Sequence, residues 1–162
     1  RLTRLDSGVL DPPAPVDILP VLEQVMRMMN LVAQEKGTEL TYRAEGTCTM
    51  LATRDEIHQI IYNLTDNAVK YTPPGSTVQV SLFREGDQVV LTVEDNGAGI
   101  PEEDLPRIFE KGYTGENGRL ERTSSGLGLY LAGKAADMLH IPIHVESTVG
   151  RGTAFTLHLR QR

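Results

Sequence analysis

Asn63-Leu64-Thr65-Asp66-Asn67-Ala68-Val69-Lys70-Tyr71-Thr72 is the stretch on which the architecture of this chain turns. Together with the residues just before it, Ile57, Ile60, Ile61, Leu64, Ala68 and Tyr71 recur at helical spacing as one apolar face. Asn63, Asn67 and Lys70 stack at i, i+4 and i+7 along its flank. The pattern predicts a helix opened by Thr53-Arg54-Asp55-Glu56 and stopped before Pro73-Pro74-Gly75. Three polar groups then line one edge of a core. An amide oxygen is a neutral hard ligand suited to Mg²⁺ that already carries phosphate oxygens and water, and an ammonium three residues on can meet phosphate charge. Taken alone, the same spacing also fits a solvated helix flank.

Working outward, Thr77 to Phe83 and Gln88 to Glu94 alternate apolar and polar residues about Glu85-Gly86-Asp87, a hairpin pattern. The alternation puts Asp95 on the face of Val89, Leu91 and Val93. A carboxylate at the end of an apolar face needs a partner, and the exocyclic amine of adenine suits it where the carbonyl of guanine would be repelled. In Asp95-Asn96-Gly97-Ala98-Gly99-Ile100 the two glycines let the backbone turn sharply and approach a flat ring, with Ile100 left to pack on it. An ordinary turn after a strand has the same residues. A third segment, Gly126-Leu127-Gly128-Leu129, lies where a polar loop becomes an apolar helix holding Leu129, Leu131, Ala132, Ala135, Ala136 and Leu139. Backbone N–H groups at such a start, with the helix dipole, cradle phosphate, although a glycine-rich helix entry needs no ligand. The three segments together point to ATP. The loop from Lys111 to Ser125, rich in glycine and polar groups, reads as a lid.

The remaining pattern completes an α+β, two-layer sandwich: a mixed, mostly antiparallel sheet with helices on one face. Val16 to Lys36 carries Ile18, Leu19, Leu22, Val25, Met26, Met29 and Val32 at helical spacing, with Gly37 as the stop. Thr38 to Tyr42 and Cys48 to Ala52 read as short strands, Pro101 to Phe109 as a short helix and Gly126 to His140 as a longer one. Ile143 to Ser147 and Thr153 to Leu159 are the closing strands. Residues 1–8 read as a helix tail, 9–15 as a proline-rich linker and 16–162 as one domain. That domain is long enough to bury roughly two thirds of the surface its unfolded chain exposes.

A formal charge of −6, with 16 Lys and Arg in 162 residues, argues against a nucleic-acid partner. One cysteine, Cys48, allows neither an internal disulfide nor a multi-thiol metal site and fits a reducing, cytoplasmic setting. No apolar run approaches a membrane span, so no direct membrane contact is expected. The start at Arg1 without Met suggests a piece of something longer.

From about Val16 to Leu159 the chain resembles the catalytic, ATP-binding domain of bacterial sensor histidine kinases, within the GHKL superfamily and its Bergerat fold. Asn63 to Thr72 matches the N box, Asp95 to Ile100 the G1 box, Ile108-Phe109-Glu110-Lys111 the F box and Gly126 to Leu129 the G2 box. The resemblance implies that Asn67 coordinates Mg²⁺, that Lys70, with Asn63 and Tyr71 as further candidates, meets the phosphates, and that Asp95 reads adenine. It also implies that Gly126, Leu127, Gly128 and Leu129 hold phosphate, and that Thr153 sits near the adenine aspartate. Period-2 alternation agrees, since Thr153 shares a face with Phe155, Leu157 and Leu159.

Two departures from the family pattern matter. Many members carry an arginine just after the F-box aromatic, whereas Tyr113 is followed by Thr114; Arg119 is then the expected lid cation for the γ-phosphate, Arg122 the second choice and Lys111 the third. The phosphoacceptor histidine, which the family carries on a separate dimerisation domain, is also missing. His58, His140, His144 and His158 sit in no catalytic context, and Arg1 to Gly8 resembles only the end of that domain's last helix.

The piece is expected to be a monomer that binds ATP without phosphorylating itself. Its implied partners are the dimerisation domain and a response regulator, within a parent anchored in the cell membrane. Alternatives are a serine kinase or ATPase of the same superfamily, which Asn63 disfavours where such ATPases place a glutamate base, and a non-catalytic nucleotide-binding scaffold.

Overall fold

The computed structural model describes residues 12–113 and 127–160. Among them, β1 (Ala14–Asp17) leads into α1 (Ile18–Lys36), followed by β2 (Glu39–Glu45), β3 (Thr49–Ala52) and α2 (Arg54–Tyr71). The hairpin β4 (Thr77–Glu85) and β5 (Gln88–Asp95) comes next, then a 3₁₀ turn at Glu102–Arg107, α3 (Gly128–Met138), β6 (Ile143–Thr148) and β7 (Gly152–Arg160). The helix tail expected at 1–8 and residues 9–11 of the linker lie outside the described residues.

Five strands form one sheet in the order β2-β4-β5-β7-β6, in which only β2 and β4 run parallel. Alternation decides its two faces. Val78, Val80, Leu82, Val89, Leu91, Val93, Phe155, Leu157 and Leu159 are buried toward the helices. Thr41, Arg43, Glu94, His144 and His158 are exposed on the other face, which no helix among the described residues covers. The α+β sandwich read from the sequence is the observed architecture.

The first helix begins with Asp17, whose Oδ1 accepts from the Leu19 N–H at 3.2 Å. It ends in a Schellman turn, with Gly37 at φ 82° and the Thr38 N–H bonded to the Ala33 carbonyl at 2.9 Å. Its buried stripe is Ile18, Val21, Leu22, Val25, Met26, Met29 and Ala33. Val32, assigned to the core from sequence, is 42% exposed, because the stripe drifts round the helix and Ala33 takes the inward position. Lys36 Nζ donates to the Val69 carbonyl at 2.7 Å and to the Lys70 carbonyl, so the end of α1 caps the end of α2.

Three boundaries differ from the sequence reading. Ala14 and Pro15, read as linker, pair with Ala52 and Leu51 in a two-stranded sheet with β3; an edge strand tolerates a proline that cannot donate. Between Pro101 and Phe109 there is a six-residue 3₁₀ turn containing Pro106, too short for an α-helical ladder. The last helix closes at Leu139, where His140 adopts φ 59° and the Ile141 N–H returns to the Ala136 carbonyl at 2.9 Å. That is the same terminal turn as at Gly37, made with a histidine.

Candidate functional site

The end of β5 and the start of β7 form one end of the candidate site. The antiparallel register sets Asp95 directly opposite Thr153, at the rim of the helix-facing side of the sheet. Burial pushes the Asp95 carboxyl above its ordinary range, and the backbone N–H groups of Gly97 and Thr153 pull part of the way back. The Gly97 bond to Oδ1 is 2.9 Å.

Asn96 ties the loop to β4, its Oδ1 accepting from the Thr77 N–H at 2.8 Å. The other side of the loop is fastened to the β6–β7 turn: the Gly150 N–H donates to the Ala98 carbonyl at 2.8 Å and the Ile100 N–H to Ser147 Oγ at 2.7 Å. Ser147 Oγ also reaches the Gly152 carbonyl at 3.0 Å and Thr153 Oγ1 at 2.8 Å. Nothing in the sequence singles out Ser147; only the register brings it here.

The loop glycines have a protein-internal cause beyond the close approach to a ring read from sequence. A Cβ on Gly97 would lie 2.7 Å from Thr72 Cγ2. Gly99 has φ 80°, and its Cβ would stand 2.3 Å from the Thr148 carbonyl oxygen, inside the β6–β7 turn. Ile100 is half-buried against the core.

At the other end, α2 and α3 pack side by side. Asn63 is buried between them, and its Nδ2 donates to the Gln59 carbonyl at 2.8 Å and to Gln59 Oε1 at 2.7 Å. Two acceptors fix the amide orientation, so Asn63 Oδ1 is the atom turned toward α3, 3.6 Å from where a Cβ on Gly128 would stand. Asn67, one turn on, is half-buried, as is Tyr71 at the last position of α2. Lys70 is exposed and pairs with Asp66 at 3.1 Å on its own helix. Leu127, Gly128 and Leu129 form the half-buried start of α3. Gly126, Arg119 and Arg122 lie outside the described residues.

The F box anchors α3. Phe109 packs edge-on to Phe155, with ring centroids 6.3 Å apart, and a Cβ on Gly133 would come within 3.3 Å of its ring. Sequence reasoning missed Gly133, because a small residue within an alanine-rich helix carries no signal until its neighbour is known. Lys111, third choice for the lid cation, lies over the Tyr130 ring at 5.7 Å. Among the described residues no three His, Cys, Asp or Glu side chains converge to hold a metal, and no helix is long and apolar enough to cross a membrane.

Residues 52–162 match the family model described as histidine kinase-, DNA gyrase B- and HSP90-like ATPase. Over 98 residues, 60% of the chain, the sequence is 49% identical to sensor protein BceS of Bacillus subtilis, of which it covers 29%. It is 36% identical over 137 residues, 85% of the chain, to sensor histidine kinase GraS of Staphylococcus haemolyticus, of which it covers 39%. The chain thus spans about a third of the length of these curated relatives. Among solved structures, full-length ShkA in complex with AMPPNP superposes with a TM-score of 0.80 at 28% identity, over 97% of this chain and 33% of that one. The mycobacterial sensor histidine kinase MprB gives 0.77 at 23% identity, over 93% and 98%, a likeness of fold.

Proposed function

We propose, because this chain belongs to the histidine kinase-, DNA gyrase B- and HSP90-like ATPase family and is the ATP-binding catalytic domain of a sensor histidine kinase, that its pocket presents the γ-phosphoryl of ATP to a histidine on a separate dimerisation domain. The phosphoryl group would pass from there to a response regulator. The observation that carries the reading is Asp95: an acceptor at the rim of an apolar strand face, facing Thr153 and held by backbone N–H groups. The AMPPNP complex of ShkA supports a nucleotide at the corresponding fold.

In this reading Asp95 accepts from the adenine amine, while Gly97, Gly99 and Ile100 shape the wall beneath the ring. Leu127, Gly128, Leu129 and the neighbouring Gly126 offer backbone N–H groups to phosphate at the start of α3. Lys70 adds charge once it leaves Asp66, and Tyr71 borders the same end. Arg119 is the lid cation. Asn67 supplies a neutral oxygen for Mg²⁺. With no cage of ionisable ligands among the described residues, the donor set suits an ion whose other oxygens come from phosphate and water. Bound there, the ion would neutralise phosphate charge.

The lone pair of a neutral imidazole nitrogen forms the new P–N bond as the bond from the γ-phosphorus to the bridging oxygen breaks and ADP leaves. Positioning and electrostatics carry such a transfer. Hydrolysis would need a base to deprotonate water, and Asn63, with both amide hydrogens given to Gln59, is no base. This disfavours the ATPase reading.

Calorimetric titration with ATP and GTP, each with and without Mg²⁺, on the wild type and Asp95→Asn tests the pocket. ATP binding without GTP binding, lost in the variant, is the expected result. No binding even of ADP would leave a scaffold module. Phosphate transfer from labelled ATP to an added dimerisation domain tests the reaction, and Arg119→Ala should impair that transfer more than it weakens ADP binding.

A further inference from the structure

We propose that Ser147 is a positioning residue that sets the hydrogen-bond polarity of the base pocket: it locks the Thr153 hydroxyl as an acceptor beside Asp95, so the pocket welcomes a donating base edge and repels a carbonyl. The proposal rests on the reading of Asp95 as the adenine contact. It follows from counting protons. A serine hydroxyl has one proton and two lone pairs. Of its three contacts, the Ile100 N–H at 2.7 Å can only donate and the Gly152 carbonyl at 3.0 Å can only accept. The serine proton therefore goes to Gly152, and one lone pair receives Ile100. Distance alone lets either hydroxyl donate in the third contact, to Thr153 Oγ1 at 2.8 Å; with all three contacts made together it is a bond that Ser147 accepts.

The only proton of the Thr153 hydroxyl is spent on Ser147. What Thr153 Oγ1 has left for a ligand is lone pairs. Across the ladder stands Asp95, which as a carboxylate also only accepts. An amine at the 6-position of a purine, or a water with two protons to give, satisfies such a pair. A 6-carbonyl meets an acceptor where the amine would donate, and the N1–H beside it can serve only one of the pair, so a buried group is left unpaired, the situation that produces the steepest discrimination in binding sites. A threonine without Ser147 would rotate and offer its proton to that carbonyl. Thus the serine never touches the base yet decides what its neighbour can say to it.

Inosine triphosphate, which carries a carbonyl where ATP carries the amine, is the probe. In the full chain, Ser147→Ala should reduce the ratio of ATP to inosine triphosphate affinity by roughly tenfold, on the order of one hydrogen bond. Ser147→Thr, which keeps the hydroxyl, should restore it. Thr153→Val, which removes the locked acceptor while leaving Ser147 in place, should lower the same ratio, and it decides the matter alone if Ser147→Ala does not fold. A loss of affinity equal for both nucleotides in Ser147→Ala, or an unchanged ratio in Thr153→Val, overturns the proposal: Ser147 would then only hold the loop. Wild-type protein that binds no ATP, or Asp95→Asn that binds it normally, marks instead the failure of the base-reading role of Asp95, and the proposal falls with it.

Discussion

Asp95 sits where its charge is costly, and the direction of its pKa makes a prediction with a definite sign. Burial raises the folded carboxyl above the ordinary value near 3.8, so the native state holds this proton to higher pH than the unfolded chain does. The stability that proton contributes is present at low pH and is lost as pH rises through the raised value. Asp95→Asn should therefore leave the nucleotide-free protein at least as stable at neutral pH, with a flatter acid-side profile, while abolishing ATP binding. Melts between about pH 4 and about pH 7 check the first part.

The glycines divide by cause. Gly99→Ala must hold φ 80° and displace the Thr148 carbonyl, for a loss of about 2 kcal/mol or more. Gly128→Ala meets only an ordinary 3.6 Å contact, so its melting temperature should hold while ATP affinity falls roughly tenfold, about one charge-assisted hydrogen bond. Equal stability losses in the two would deny Gly128 a ligand role. Asp95 and Thr153 are legible in sequence because period-2 alternation puts each on an apolar face. Ser147 is not, since its three partners come from sequence-distant backbone and from a register that alternation alone leaves open.

At the scale of elements, two helices end in the same turn with different residues. Gly37 adopts its left-handed conformation without a Cβ, whereas His140 carries one at φ 59°. His140→Gly should stabilise the domain by about 1 kcal/mol, raising the melting temperature by about 2–4 °C, provided the exposed ring adds nothing; a calorimetric melt reads it directly. The long helices are legible because nineteen and eighteen residues give their stripes time to repeat. β1 is hidden in the sequence: four residues with a proline read as linker until β3 supplies the partner. The 3₁₀ turn is hidden for the opposite reason, as Glu102 to Arg107 has helical composition but Pro106 breaks the ladder.

For the molecule as a whole, ligand binding and folding are linked. ATP at one hundred times its dissociation constant should add about 2.7 kcal/mol to the stability of the wild type and nothing to that of Asp95→Asn. The sandwich itself was readable from the order of patterns, but the assembly of the site was not, because β7 pairs with β5 across more than fifty intervening residues, a stretch that holds the 3₁₀ turn, α3 and β6. That pairing has a consequence for the order in which the protein comes into being. Asp95 emerges from the ribosome well before Thr153 and Ser147, and until they follow the loop between Asp95 and Ile100 is fastened only on its β4 side, through Asn96 and Thr77. A nascent chain halted before β7 has α3 and Asp95 but not the Thr153 that stands opposite it, so on the proposed reading the domain takes up no nucleotide until β7 has been made.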